Sequence, residues 1–332
     1  MIATLALGLI VILAGSYLFT NAVEWTGKRL DLSEGVVGSL LAGVGTALPE
    51  TIVPIIAIFF DTGAARQQVG IGAILGAPFM LSCLTIPMLG AGVLLLARLG
   101  RRDATMQVNA ALSRTDLGYF VLAYAIALLL TLAPPSAIGT AARFAAAALL
   151  VVLYLSYLRK LLRHEGGIEG TVGPLLFARR RPSPGLPVIL IQLVIGLGVI
   201  VGGAHLFVDG IAALSQALSA SPLVISLLIT PIATELPEKF NSLIWISQRK
   251  DRLAIGNITG AMVFQGTFPV AVGLTGTPWQ LDPFGLLSAL FALTAAAWLY
   301  LLLRWNGGWR PVALGATFGL YLIYGAYVIV QS

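Results

Sequence analysis

Charged residues are scarce in this chain, and their scarcity excludes most classes of protein. Only 10% of the 332 residues are Asp, Glu, Lys or Arg, whereas 58% are hydrophobic and the mean hydropathy is +0.93. A water-soluble protein of this size carries far more charge on its surface. The composition therefore predicts an all-α integral membrane protein, because helices satisfy their own backbone hydrogen bonds in lipid.

Cysteine and histidine are also nearly absent. The single cysteine, Cys83, can form no intramolecular disulfide, and its apolar surroundings in the sequence favour a small core residue. With so few thiolate and imidazole groups, a bound metal ion would have to be held by oxygen atoms. The net charge of +6 is explained by basic connections between membrane spans, so nucleic-acid binding is not predicted.

Long apolar runs fill the chain instead. About ten runs have the roughly 20-residue length that crosses a bilayer, namely 2–23, 35–60, 68–97, 117–133, 138–158, 186–207, 221–247, 253–277, 284–303 and 311–330. The connections on one side hold nearly all Lys and Arg, and only Arg66 and Arg143 fall on the other. The positive-inside rule then predicts a multi-pass plasma (inner) membrane protein with both termini outside and a cytoplasmic loop at 161–185.

One short segment occurs twice, 188 residues apart. Its copies are Gly45-Thr46-Ala47-Leu48-Pro49-Glu50 and Ala233-Thr234-Glu235-Leu236-Pro237-Glu238. A carboxylate at membrane depth is costly and marks a functional site. Each Pro also removes the hydrogen-bond donor of the carbonyl four residues earlier, that of Gly45 or Ala233. A carboxylate beside a carbonyl without a hydrogen-bond donor favours the binding of a metal cation.

The basic stretch 161–185 divides the chain into two halves, 1–160 and 186–332, with five predicted spans each. An odd number of spans makes the second half enter the membrane from the opposite side. Similar halves are then inverted-topology repeats. The motif-bearing segments are 38–81 and 226–265, and in each the first helix is predicted to break at its Pro-Glu pair.

These motifs resemble those of the cation/calcium exchanger superfamily, whose two alpha repeats carry a Gly-Thr-Ser-Leu-Pro-Glu type segment and then a Gly-Asn-x-x-Gly-Ser-Asn type segment. The resemblance implies a secondary active antiporter, and not an enzyme, that exports Ca²⁺ or a similar divalent cation in exchange for Na⁺ or H⁺ by alternating access. It implies no cofactor, and its partners are the bilayer, the divalent cation and the counter-ion. It also implies that Glu50 and Glu238 bind the cation at the centre of the membrane, with Thr46 and Thr234 adding oxygens.

The first repeat departs from the family pattern more than the second. Ala73 stands where the family has Asn and Leu81 where it has an amide or acid, whereas the second repeat has Asn257 and Gln265. Fewer side-chain oxygens weaken the case for several Na⁺ sites and favour proton coupling, because carboxylates in a partly dry cavity can exchange a cation for a proton. The remaining expected ligands are Gln265 and the carbonyls of Gly45 and Ala233, and the secondary candidates are Glu235, Lys239, Asn257 and Ser242.

The sequence leaves more than one interpretation open for Lys239 and for the function of the whole chain. Lys239 follows Glu238 and lies four residues after Glu235, so its ammonium is interpreted as the partner of Glu235, as a built-in cation beside Glu238, or as a group that reaches the interface. For the whole chain, the alternatives to an antiporter are a passive cation channel or non-coupled relative, and an intramembrane hydrolase that uses two acids.

Overall fold

Helices make up nearly all of the described chain. The computed structural model describes residues 2–29, 48–60, 63–132, 139–162 and 173–331. The first half contains α1 (Ile2–Arg29), α2 (Leu48–Ile55), α3 (Ala64–Met80), α4 (Ile86–Arg98), α5 (Ala110–Leu132) and α6 (Thr140–Leu162). The second contains α7 (Leu186–Leu218), α8 (Pro222–Thr234), α9 (Leu236–Ser247), α10 (Asp251–Gln265), α11 (Phe268–Gly276), α12 (Pro283–Asn306) and α13 (Gly315–Gln331).

Short irregular turns join several of these helices. A π-helical turn follows α2 at Ile56–Phe60, and another joins α3 to α4 at Leu81–Thr85. Single 3₁₀ turns lie at Leu176–Ala178 and Pro311–Leu314. The first π-helical turn comes directly after Pro54, whose ring cannot donate to the regular helical ladder.

The predicted all-α membrane fold is confirmed. Within the described residues, eight helical stretches are long and apolar enough to cross a membrane, and Glu50–Phe60 and Pro222–Ile232 are shorter apolar helices. The two shorter helices fall inside the predicted spans that carry the Pro-Glu pairs. The count of ten spans itself stays a prediction.

Two predicted spans differ from the structure. The helix predicted over 186–207 continues to Leu218 and ends where Ser219 adopts a left-handed conformation (φ 52°). The span predicted over 253–277 corresponds to the apolar stretch Asp251–Gly276, within which the helix is interrupted between α10 and α11. Pro269 explains this interruption, because it lies in the first turn of α11 and has no N–H for a continuous helix.

α1 and α7 form a close antiparallel pair through glycine. A Cβ added to Gly8 would lie 2.6 Å from the backbone N of Phe207, and one added to Gly15 would lie 2.8 Å from that of Ile200. As the residue number rises along α1 it falls along α7, so the two helices run in opposite directions. The same backbone approach occurs from the α7 side at Gly196, Gly203 and Gly210. Small residues allow this separation, which is the usual way membrane helices associate.

α3 and α8 form a second close pair, but a parallel one. An added Cβ at Gly72 would lie 3.0 Å from the backbone N of Leu227, and one at Gly76 would lie 2.7 Å from the ring of Pro231. Residue numbers therefore rise together along the two helices. Gly72 and Gly76 allow this close packing because they carry no side chain.

These directions are those of an inverted repeat. α1 and α7 open the two halves and run antiparallel, as corresponding helices of inverted repeats must. α3 and α8 belong to different arms of the two hairpins, so inversion makes them parallel. The duplicated segment is also helical in both halves, since Leu48 lies in α2 and its equivalent Leu236, 188 residues later, lies in α9. The inverted architecture read from the motifs is confirmed.

The buried apolar side chains form two main clusters. One joins α1, α2 and α7 with the first turns of α3. The larger one spans α3, α4, α5, α10 and α12. Many large apolar side chains on the outer faces are exposed, including Ile10, Leu129 and Ile329, as expected of helices that face lipid.

Candidate cation site

Glu50 is buried within the protein at the start of a helix. It is the third residue of α2, in the first helical turn, and only 3% of it is exposed. The positive end of the helix dipole stabilises a carboxylate at this position. Thr51, the next residue, is 6% exposed. Gly45 and Thr46, which were also expected to supply oxygens, lie outside the described residues.

A row of hydroxyl groups follows one face of α8. Ser226, Thr230 and Thr234 are spaced by four residues, and each is at most 1% exposed. Thr234 Oγ1 donates to the carbonyl of Thr230 at 2.9 Å, while Ser226 Oγ lies 3.0 Å from Thr230 Oγ1 and donates to the carbonyl of Val69 on α3 at 2.7 Å. A hydroxyl that donates keeps lone pairs for a cation. Thr234 was predicted as a ligand. The four-residue spacing of hydroxyl residues before Thr234 is the signal that could have identified Ser226 and Thr230.

The helix breaks at the second Pro-Glu segment, as predicted. Glu235 separates α8 from α9 with φ −93° and ψ 3°, and it is 2% exposed. Pro237 has no N–H to offer the carbonyl of Ala233, so the end of α8 presents oxygen toward the break. The backbones of Ala233 and Glu238 lie in α8 and α9. The side chains of these two residues lie outside the described part of the structure.

Lys239 bridges this break. Its Nζ lies 3.1 Å from Glu235 Oε2 and donates to the carbonyl of Pro231 at 3.1 Å. The side chains of Lys239 and Glu235 are 9% and 3% exposed. The ion pair with Glu235 that the four-residue spacing suggested is therefore present, and a backbone carbonyl of α8 joins it.

Gln265 presents a buried oxygen at the end of α10. It is the last residue of that helix and is 2% exposed. Among the described residues, no donor forms a hydrogen bond with its Oε1. A buried acceptor without a donor is unfavourable unless an ion or water completes it. Nearby in sequence, Asn257 Nδ2 donates to Ser242 Oγ at 3.4 Å, and this contact ties α10 to α9.

A further buried acid, Asp116, was not singled out from the sequence. Asp116 on α5 is 1% exposed and accepts hydrogen bonds from Thr259 Oγ1 at 2.6 Å and from Tyr157 OH at 3.1 Å. These partners lie on α10 and α6. The acid therefore fixes two first-half helices to one of the second half. Its position near the end of an apolar run was the available signal.

Comparison with known proteins identifies the family. A family model described as sodium/calcium exchanger protein matches residues 1–162 and 188–332. The chain belongs to this family. It is 23% identical over 331 residues to a protein called inner membrane protein YrbG of Escherichia coli strain K12. The aligned region covers 98% of this chain and 94% of that protein.

Solved structures agree with this assignment at the level of the fold. The crystal structure of the H⁺/Ca²⁺ exchanger CAX superimposes with a TM-score of 0.74 at 16% identity, over 99% of this chain and 86% of that chain. A structure of the sodium-calcium exchanger NCX_Mj superimposes with a TM-score of 0.57 at 21% identity, over 97% of both chains. The predicted superfamily is thus confirmed, and this exchanger-family chain is a membrane transporter and not an enzyme.

Proposed function

We propose that this exchanger exports Ca²⁺ or a similar divalent cation in exchange for H⁺ or Na⁺ by alternating access, with Glu50 and Glu238 as central ligands. The observation that best supports this proposal is that the two glutamates occupy equivalent positions in the two repeats. Glu50 is buried in the first turn of α2, and Glu238 occupies the equivalent position of α9, 188 residues later in an inverted repeat. Inverted repeats bring equivalent positions together near the middle of the membrane, where such transporters bind their substrates.

The proposed ligand set suits a hard divalent ion. Ca²⁺ takes six to eight oxygens and accepts carboxylates, carbonyls, amide oxygens and water. Besides the two glutamates, the second repeat would supply Thr234, Gln265 and the carbonyl of Ala233. The first repeat would supply the corresponding oxygens of Thr46 and Gly45. Support comes from the buried hydroxyl of Thr234 and from the Oε1 of Gln265, which no described donor satisfies.

The first repeat favours H⁺ as the counter-ion. Ala73, Ala77 and Leu81 are at most 2% exposed, so apolar side chains fill interior positions where the resemblance led us to expect polar ones. A proton needs no set of extra oxygens, because a carboxylate that releases the divalent ion can bind it directly. Both kinds of coupling occur among the structural neighbours, which are an H⁺/Ca²⁺ exchanger and a sodium-calcium exchanger.

The proposed location is the plasma (inner) membrane. A relative from Escherichia coli is named as an inner membrane protein. Both termini would lie outside and the basic connection 161–185 in the cytoplasm, since nearly all Lys and Arg residues fall in connections on one side of the predicted topology.

Ion flux in proteoliposomes tests the function. Purified protein would be reconstituted with a Ca²⁺ indicator inside the vesicles, and a pH gradient or a Na⁺ gradient of equal size would be imposed separately. We expect Ca²⁺ movement that follows the pH gradient more steeply than the Na⁺ gradient. Ca²⁺ movement that strictly requires Na⁺ would show that the counter-ion is Na⁺ and not H⁺. Ca²⁺ flux that ignores both gradients would indicate the channel alternative, and no flux with any divalent ion would contradict the exchanger proposal.

A further inference from the structure

We infer that the ammonium of Lys239 is a tethered cation that permanently fills one cation position of the site, at the break between α8 and α9. This inference rests on the proposed function, because it concerns which ions that site takes. The ammonium would determine which ions the site accepts, because it occupies a position that a free monovalent cation could otherwise enter. The exchanger would then carry one monovalent cation fewer in each cycle.

The surroundings of the ammonium are those of a cation site. Its Nζ has a carboxylate oxygen of Glu235 and the carbonyl oxygen of Pro231 at 3.1 Å each. Both oxygens lie at the end of α8, where the helix dipole carries partial negative charge. The Pro231 carbonyl also accepts the backbone N–H of Glu235 at 3.2 Å, so the ammonium uses its second lone pair. In membrane transporters, the carboxyl ends of broken helices bind Na⁺ or H⁺. Here the end of the broken helix holds a lysine head group.

The pair is poorly explained as a device for stability. Replacing a buried ion pair with apolar residues is often neutral or stabilising. The first repeat carries neither charge at the equivalent positions, which are Ala47 and Thr51. Its duplicated segment nonetheless continues into a helix, α2, that contains the buried Glu50. The presence of the ion pair in one repeat alone points to a role in ion binding.

The decisive experiment empties the position and asks whether a free ion enters it. Lys239→Met removes the ammonium but keeps a long apolar side chain, and Lys250→Met, at an exposed lysine in the connection before α10, is the matched control. Thermal unfolding of the full-length protein in detergent would be followed in NaCl, KCl and choline chloride at equal ionic strength. Lys239→Met should unfold roughly 2 °C or more higher in NaCl or KCl than in choline chloride, because ion binding stabilises the folded state. Wild type and Lys250→Met should show a clearly smaller difference.

Two further variants locate the ion. The double change Lys239→Met with Glu235→Gln should lose the difference between Na⁺ or K⁺ and choline, since the carboxylate that would bind the ion is gone. Lys239→Ala should be stabilised by methylammonium, which can replace the missing head group, whereas Lys250→Ala should not. In proteoliposomes, Ca²⁺ flux by Lys239→Met should depend on Na⁺ or K⁺ more steeply than that of wild type.

Several outcomes would overturn the inference. If Lys239→Met unfolds at the same temperature in all three salts, no cation position was vacated, whether or not the variant is less stable than wild type. Equal destabilisation in all salts, corrected by adding Glu235→Gln, would show a purely structural ion pair. Failure to fold in every salt would also contradict it. Because unfolding does not depend on transport, these results are separate from the wild-type flux test, whose failure would instead contradict the proposed function.

Discussion

The two repeats of this exchanger share a Pro-Glu segment but differ in their polar residues. Along α8, α9 and α10 the second repeat carries Ser226, Thr230, Glu235, Lys239, Asn257 and Gln265, and the equivalent residues of the first repeat are Gly38, Ala42, Ala47, Thr51, Ala73 and Leu81. Pro49 and Pro237 are present in both repeats. The Pro-Glu pair and the supply of ligands can therefore diverge independently. The pair is kept in each repeat, while side-chain oxygens concentrate in the second.

The largest expected effect tests the feature that the repeats share. Glu50→Gln and Glu238→Gln should each reduce Ca²⁺ transport roughly 100-fold or more, equivalent to about 3 kcal/mol, because each removes a charged ligand from a site of low dielectric. Flux in proteoliposomes measures the loss, and thermal unfolding checks that the variants fold. Asp103→Asn, at an exposed acid, is the control. Flux like that of wild type in either glutamate variant would contradict the central assignment.

A smaller effect tests whether the repeats are packed alike. Gly76→Ala should lower the free energy of unfolding by about 1–3 kcal/mol, because its Cβ would clash with the carbonyl of Leu227 and the ring of Pro231. At the equivalent Gly260 the nearest described atom is Tyr157 OH, 3.6 Å from an added Cβ, so Gly260→Ala should cost far less. Urea or thermal unfolding in detergent compares them. Equal losses would show that both repeats are equally tight.

The smallest expected effect concerns the uneven supply of ligands. Gln265→Leu should weaken divalent binding roughly tenfold, or about 1.4 kcal/mol, because one neutral oxygen ligand is removed. Leu81→Met, at the equivalent position of the first repeat, should leave affinity unchanged, since it exchanges one buried apolar side chain for another of similar volume. Isothermal titration with Ca²⁺ measures both. A similar loss in the two variants would remove Gln265 from the ligand set.

Proline and charge made much of this fold predictable. The start of α9 at Leu236 follows from Pro237, and the membrane spans follow from apolar runs bounded by Lys and Arg. The pairing of α1 with α7 did not follow, because a glycine face shows that a close neighbour exists and does not say which one. The interruption before Phe268 was overlooked although Pro269 marks it.

The candidate site was predictable where a residue is exceptional in its surroundings. A glutamate or lysine inside an apolar run is conspicuous, so Glu50, Glu235 and Lys239 could be identified from the sequence. Ser226, Thr230 and Asp116 were overlooked, because hydroxyls are common in membrane helices and Asp116 lies at the edge of its run. Their importance appears only when helices that are distant in sequence meet, as at the 2.6 Å contact between Thr259 and Asp116.

The glycine contacts between α1 and α7 also bear on how the chain is made. α1 is synthesised before α7, and the helix that covers Gly8 and Gly15 begins only at Leu186. During synthesis, α1 must therefore remain in the bilayer with its closest packing surface uncovered until more than half of the chain has been inserted. Contacts between such distant segments form late in assembly. The first half therefore completes its packing only when the second half is in the membrane.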